Sequence, residues 1–328
     1  MSDAKSRQMA AVIALLVVAF AIGPFVPRPY DYVLNEACIQ AIAVLGLGIL
    51  LGLCGQLSLC QAAFLGIGSY ATAILETHYG WPFWAVLPAG TLAAAVIGFL
   101  IGWPALRLSG HYLALATIGF GLIVQIVFIN WKDLTNGPDG ITGVTAGTLG
   151  KINLDDYHAF YYVILILLIA GAYVAVRIKQ TRVGRAFEAI RENEIAAAAM
   201  GIDVPRYKII AFVLASSYAG LAGVLFATNL RFVSPDTYSF DLSVVFLVML
   251  VIGGASSIGG AILGAIVLTF LPEWLRPLKT SYIMVYGAAV VAMVIFMPQG
   301  LAGLWRVRLP KRTEKPPPPL RAAQPEAT

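Results

Sequence analysis

The chain has 328 residues, of which 59% are hydrophobic and 12% charged, and carries a formal net charge of +5. A mean hydropathy of +0.82, set against the roughly 25% charged residues of a soluble domain, excludes an ordinary water-soluble fold and describes a polytopic membrane protein with no nucleic-acid partner. The cysteines Cys38, Cys54 and Cys60 lie in apolar stretches without CxxC spacing, and His78, His111 and His158 form no ligand pattern. A disulfide framework and a metal site are therefore not expected.

In lipid every backbone polar group must be paired within its own segment, which makes helices the only reasonable spanning form here. About 20 helical residues rise roughly 30 Å, the thickness of the hydrocarbon layer. The first candidate span is Met9–Val26, where Ala19-Phe20-Ala21 also resembles a signal-peptidase site. The run is long enough to cross and Gly23-Pro24 ends it, so a retained helix is preferred to a cleaved signal. Further candidates are Val33–Leu53, Leu59–Leu75, Pro82–Trp103, His111–Asn130, Phe160–Val176, Ile209–Leu230, Leu242–Gly254, Gly260–Leu271 and Ile283–Met297. The expected fold is all-α with about ten transmembrane helices. Gly253 to Gly260 interrupts an apolar stretch without any charge, which suits a re-entrant turn buried in protein. Pairs such as Gly48 with Gly52 and Gly260 with Gly264 are spaced for close helix packing.

Lys and Arg fall mostly in alternate connectors: seven of the 22 between Arg177 and Lys208 and six from Arg306 onward. That bias places both termini and the Arg177–Lys208 segment in the cytoplasm. Residues 1–305 form the membrane domain, and 306–328, basic and then proline-rich, a disordered tail beside anionic headgroups. Within the cytoplasmic segment, Val183, Phe187 and Ile190 keep a helical spacing that Glu194 interrupts. Asn193 is a good N-cap, Glu194 suits a first turn, and Gly201 suits the left-handed position after an alanine run. The result is a short, separately capped helix. A helix of about two turns is marginal alone in water, so it either docks on something or is a solvated connector.

On the opposite side, Trp131 to Tyr157 contains Asn136-Gly137-Pro138-Asp139-Gly140, a turn cluster in an acidic loop. Charged residues near the spans, Glu36, Arg231, Asp241 and Glu273, are placed at their ends, which argues against proton- or sodium-coupled transport. Uncharged Gln56, Ser58 and Gln61 are candidates for a hydrated pathway or for plain helix contacts. GxSxG, GxxxxGK[ST] and paired acid–histidine patterns are missing, so neither catalysis nor ATP binding is expected of this chain. Uphill transport would draw its energy from a partner.

The residues Gly184-Arg185-Ala186-Phe187-Glu188-Ala189-Ile190-Arg191-Glu192-Asn193-Glu194-Ile195-Ala196-Ala197 and Met200-Gly201-Ile202 resemble the EAA-type loop of LivM permeases of branched-chain amino acid ABC importers. Gly55-Gln56-Leu57-Ser58-Leu59, Gly66-Ile67-Gly68-Ser69-Tyr70, Thr135 to Ile141, Ser234-Pro235 and Pro298-Gln299-Gly300-Leu301 extend the likeness over about Val33 to Gly303. The resemblance implies an ABC importer permease fold in the bacterial inner membrane and a second, LivH-like permease subunit. It also implies two ATPases on the cytoplasmic loops and a periplasmic substrate-binding protein outside. Carried over, Glu188, Glu194, Ala196, Ala197, Ala198, Ala199 and Gly201 become ATPase contacts, and Asn136, Gly137, Asp139 and Gly140 binding-protein contacts. ATP would be bound by the partners and no cofactor by this chain. Ser256 stands where the family usually has glycine, which loosens the assignment of cargo: branched-chain amino acids, or urea, short amides and other small carboxylates. An ATPase-independent secondary transporter and an intramembrane enzyme are the readings from other classes.

Overall fold

A computed structural model describes residues 30–106, 110–145, 148–149, 152–153, 156–255 and 257–275, with single positions between 284 and 301. Met9–Val26, most of Ile283–Met297, Ser256 and the tail from 306 lie outside the described residues. The chain runs through α1 (Asp31–Leu47), continued by a π-helical Gly48–Leu53, then α2 (Gln61–Thr77), α3 (Phe83–Ala105), α4 (His111–Asn130) and the short α5 (Lys132–Thr135). Two-residue strands β1 (Ile141–Thr142), β2 (Thr148–Leu149) and β3 (Ile152–Asn153) precede α6 (Tyr157–Gln180), α7 (Arg182–Glu192), α8 (Glu194–Ala199) and α9 (Val204–Leu230). After β4 (Phe232–Val233) come α10 (Phe240–Gly253) and α11 (Ile258–Leu275).

Among the described residues six helices are long and apolar enough to cross a membrane: α1 with its π-helical continuation, α3, α4, α6, α9 and α11. Two expected spans fall short. α2 has 17 residues and α10 has 14, rising only ~25 and ~21 Å against a core of about 30 Å.

The helices alternate in direction and give the bundle two ends. At one, β1 pairs with β4 through Ile141↔Val233, and Asn35 Nδ2 donates to Tyr157 O and Asn229 Oδ1. At the other, α7 and α8 pack under the π-helical segment, where the Arg191 guanidinium donates to Gly52 O. Between the ends, Gln61 Nε2 donates to Ala43 O at 2.8 Å and to Ala215 O at 3.4 Å, which sets the start of α2 near the middle of α1 and α9. Residues 55–60 therefore climb from the α7–α8 end to mid-depth without regular structure. The Ala62 amide donates to Ser243 Oγ, so α10 begins at the same depth. Asp241 stands exposed in that first turn, near the helix end where it was expected. Glu36 lies in the second turn of α1, accepting from Gln40 Nε2 at 2.9 Å.

Lipid tails are as apolar as leucine, so close packing and hydrogen bonds, rather than water exclusion, hold such helices together. One tight seam joins α2 to α9. A methyl on Gly68 would collide with the Gly220 backbone, and one on Gly223 with Leu65 O. The approach lets Ser69 Oγ donate to Gly223 O at 2.8 Å. Gly48, singled out from spacing, has room for a side chain, since its nearest neighbour is the end of Leu250. Gly52 and Gly264 are true contact glycines, against Ala255 O and Met249 O.

The seam makes a direct prediction. Gly68→Ala forces α2 and α9 apart and destabilises the fold by about 1–3 kcal/mol, read as a lowered thermal midpoint of the purified protein in detergent. Gly119→Ala, where nothing lies within 4 Å, leaves the midpoint unchanged.

Candidate coupling site

α6 ends in a tight corner. Thr181 N and Oγ1 both donate to Ile178 O, and Gly184 lies so close to Ile178 and Lys179 that a Cβ would strike their backbone. α7 then buries Gly184, Ala186, Phe187 and Ile190 on one face and exposes Arg182, Arg185, Glu188 and Arg191 on the other. Its buried face is fixed by Phe187, which meets Tyr207 of α9 edge-on at 6.2 Å. Asn193, extended at φ −162° and ψ 111°, separates α7 from α8, and its Oδ1 accepts from the Ala196 amide at 3.0 Å.

α8 is closed at its other end by a pair of bonds, Ile202 N to Ala197 O and Gly201 N to Ala198 O, with Gly201 at φ +84°. That is the Schellman arrangement, and only glycine enters it without strain. Caps at both ends specify a helix of six residues that its length alone would not sustain.

The two faces of α8 differ sharply. Ala197 is buried and anchors it, while Ala196, Ala198, Ala199 and Gly201 are exposed. Ile195 and Met200 are 84% and 83% exposed, more than any other large apolar side chain described. Sequence reasoning passed over both. Two bulky apolar groups flanking the alanine run were the available signal, since an exposed apolar pair on a short projecting element is the kind of feature found at protein or membrane contacts.

Glu194, expected to face a partner with Glu188, turns into the subunit. Its Oε2 takes Lys208 Nζ at 2.7 Å and its Oε1 takes Gln56 Nε2 at 3.1 Å. The Lys208 side chain is 5% exposed and that of Glu194 38%. A buried ammonium without a carboxylate is strongly unfavourable, so this pair fixes where α8 can sit. Glu188 remains exposed on α7.

Gln56, Ser58 and Gln61 are brought onto one segment, but all three are buried inside the subunit. Ser58 Oγ lies 3.2 Å from Cys60 Sγ, and Gln61 bridges α1 and α9 as described. At the opposite end, Asn136, at φ +61°, donates from Nδ2 to Gly140 O at 2.7 Å and closes a 3₁₀ turn over Gly137–Asp139. Asn136 and Asp139 are exposed while Gly137 and Gly140 are buried. A shallow polar depression beside them is lined by Thr77, His78, Lys132 and Asp133.

Residues 30–298 match the family model described as branched-chain amino acid transport system / permease component. The chain is 36% identical over 326 residues to the high-affinity branched-chain amino acid transport system permease protein LivM of Escherichia coli K12, covering 92% of this chain and 77% of that protein. The LivM of Salmonella typhimurium matches at the same identity and coverage. A protein of Methanocaldococcus jannaschii described as a probable branched-chain amino acid transport permease, LivH, is 26% identical over 269 residues, covering 75% of this chain and 83% of its own length. No solved structure matches.

If the caps order α8, Asn193→Ala and Gly201→Ala each cost about 1 kcal/mol. Amide hydrogen exchange of Ala197 to Gly201 then speeds up about fivefold, with α9 unaffected. Unchanged exchange would show that the caps contribute nothing.

Proposed function

The chain belongs to the branched-chain amino acid transport system permease family, and from that premise we propose that α8 is where the ATPases of the importer grip this subunit. It is a permease component of an ATP-binding-cassette importer. The exposure of Ile195 and Met200 on a helix capped at both ends and tethered beneath the bundle supports this reading most strongly. An element exposed to water gains nothing from two large apolar side chains unless another protein covers them.

In this reading each part of the chain has a place. Branched-chain or related amino acids are the cargo, with urea, short amides and small carboxylates as the alternative. The subunit lies in the bacterial inner membrane with about ten helices, of which α2 and α10 reach only part-way across, and with the 306–328 tail, both termini and α8 in the cytoplasm, as the distribution of Lys and Arg favours. A second, LivH-like permease completes the pathway, and a periplasmic binding protein delivers cargo at the end carrying Asn136 and Asp139. Gln56, Ser58 and Gln61 border the pathway from within the subunit. Glu188, Ala196, Ala198, Ala199 and Gly201 join Ile195 and Met200 at the ATPase, while Ala197 and Glu194 hold the helix from behind. The chain itself performs no chemistry. Hydrolysis in the partners moves α8, and the bundle alternates between openings to either side.

Ile195→Ser with Met200→Ser tests the contact. Each loses ~1.5 kcal/mol or more of apolar burial at the interface, on the order of tenfold in ATPase affinity per side chain. Expression and thermal midpoint stay those of the parent. Full co-purification of the ATPases with the double variant, alongside normal ATP-driven uptake, would refute the assignment.

A further inference from the structure

We infer that Gln56, held by the Glu194 carboxylate, is the positioning residue through which α8 moves the 55–60 strap and, with it, the mid-depth start of α2. The inference rests on the coupling role given to α8 and adds how its motion enters the membrane.

Two contacts bind the cytoplasmic element to the root of the strap. The Arg191 guanidinium donates to Gly52 O, and Gly55, at φ +74°, lies against the Arg191 side chain and Cα so closely that a methyl would collide. One turn further on, Gln56 Nε2 reaches Glu194 Oε1. Neither Arg191 nor Glu194 can shift without carrying residues 52–56.

The backbone on either side is built to yield. Gly48–Leu53 is π-helical, a rare form that occurs frequently at functional sites. The strap beyond it has no helical ladder to break. Its far end is held by single neutral bonds: Leu59 N to Thr117 Oγ1, Phe64 N to Cys60 O, Ala62 N to Ser243 Oγ, and Gln61 Nε2 to Ala43 O and, at 3.4 Å, to Ala215 O. Neutral bonds of this kind contribute only about 1 kcal/mol each, whereas those made by the Glu194 carboxylate are about twice as strong. A displacement of α8 is therefore passed along the strap to the place where α2 and α10 begin side by side, and the weaker contacts there give way first. Irregular backbone at membrane depth is tolerated only where protein buries it or where it borders water, which makes that junction the natural gate.

The test uses the assembled complex with its ATPases and binding protein in proteoliposomes. Gln56→Met keeps the side-chain length and removes the donor. Uptake per ATP hydrolysed is expected to fall about tenfold, a factor equal to ~1.4 kcal/mol, while the ATPases still co-purify and half-saturation by loaded binding protein is unchanged. Glu194→Gln, whose single amide oxygen can still accept from one of the two neighbours, should retain more uptake than Glu194→Met, which can accept from neither. That comparison decides the matter if Gln56→Met does not assemble. Unchanged uptake per ATP in Gln56→Met, or equal losses in the two Glu194 variants, overturns the relay. Loss of ATPase binding in Gln56→Met also overturns it, because the bond would then be a docking support. Parent complex showing no ATP-driven uptake overturns both the relay and the coupling role of α8.

Discussion

A single carboxylate organises the α7–α8 end of this permease. Lys208 is buried where α9 enters the bundle, and an ammonium in that position requires a charged acceptor. Glu194 supplies it at 2.7 Å from the first turn of α8 and uses its second oxygen for Gln56. The pair is only partly withdrawn from water on the Glu194 side, so its energetic value is less than that of a fully enclosed one. Its geometric effect is larger. It forces a six-residue helix to lie across the base of α9 with Ala197 inward and Ile195 and Met200 outward. The presented surface follows from the anchored one.

Inside the membrane the same economy of contacts recurs. α2 and α10 are too short to cross, and their first turns meet at mid-depth through one hydroxyl. The broken helices survive because neighbours accept from amides that the missing turns leave free: Ser243 Oγ takes the Ala62 amide and Thr117 Oγ1 the Leu59 amide. Around this junction the glycine seam of α2 and α9 is rigid, since backbone packed on backbone has no side chain to rearrange. A stiff seam beside a loosely pinned strap gives a bundle that can open at one place. Asp241, exposed at that depth, belongs on a face that meets water or another protein, because lipid would disfavour it.

Much of the local structure was legible in the sequence. Asn193 and Gly201 carry cap chemistry that depends only on neighbours in the chain, and the structure uses both residues at the two ends of α8. The apolar runs located α1 to α4, α6 and α9 to α11. Legibility failed where the answer depends on what lies across the bundle. The strap residue Leu59 is as apolar as any helix, so hydropathy merged it into the span Leu59–Leu75, although α2 begins only at Gln61. Nothing in the one-dimensional pattern says that Glu194 turns inward while Glu188 does not; that is set by Lys208, fourteen positions away. Gly48 and Gly68 look equivalent in sequence, and only the approach of α9 distinguishes them. The family motifs identified the kind of machine without saying which atoms transmit its motion.

The most direct measurement is of whether α8 and the strap travel together. Cys38, Cys54 and Cys60 are buried and should resist labelling, so spin labels can be placed at Ala198→Cys and Leu57→Cys in the assembled importer. Their dipolar broadening is then followed by continuous-wave spectroscopy through ATP binding and hydrolysis. Broadening that persists through the whole cycle, while a label at Asp241→Cys, exposed in the first turn of α10, changes its separation from Leu57→Cys, is the expected result. Broadening between Ala198→Cys and Leu57→Cys that disappears on ATP binding would contradict it, because the helix would then move without its strap.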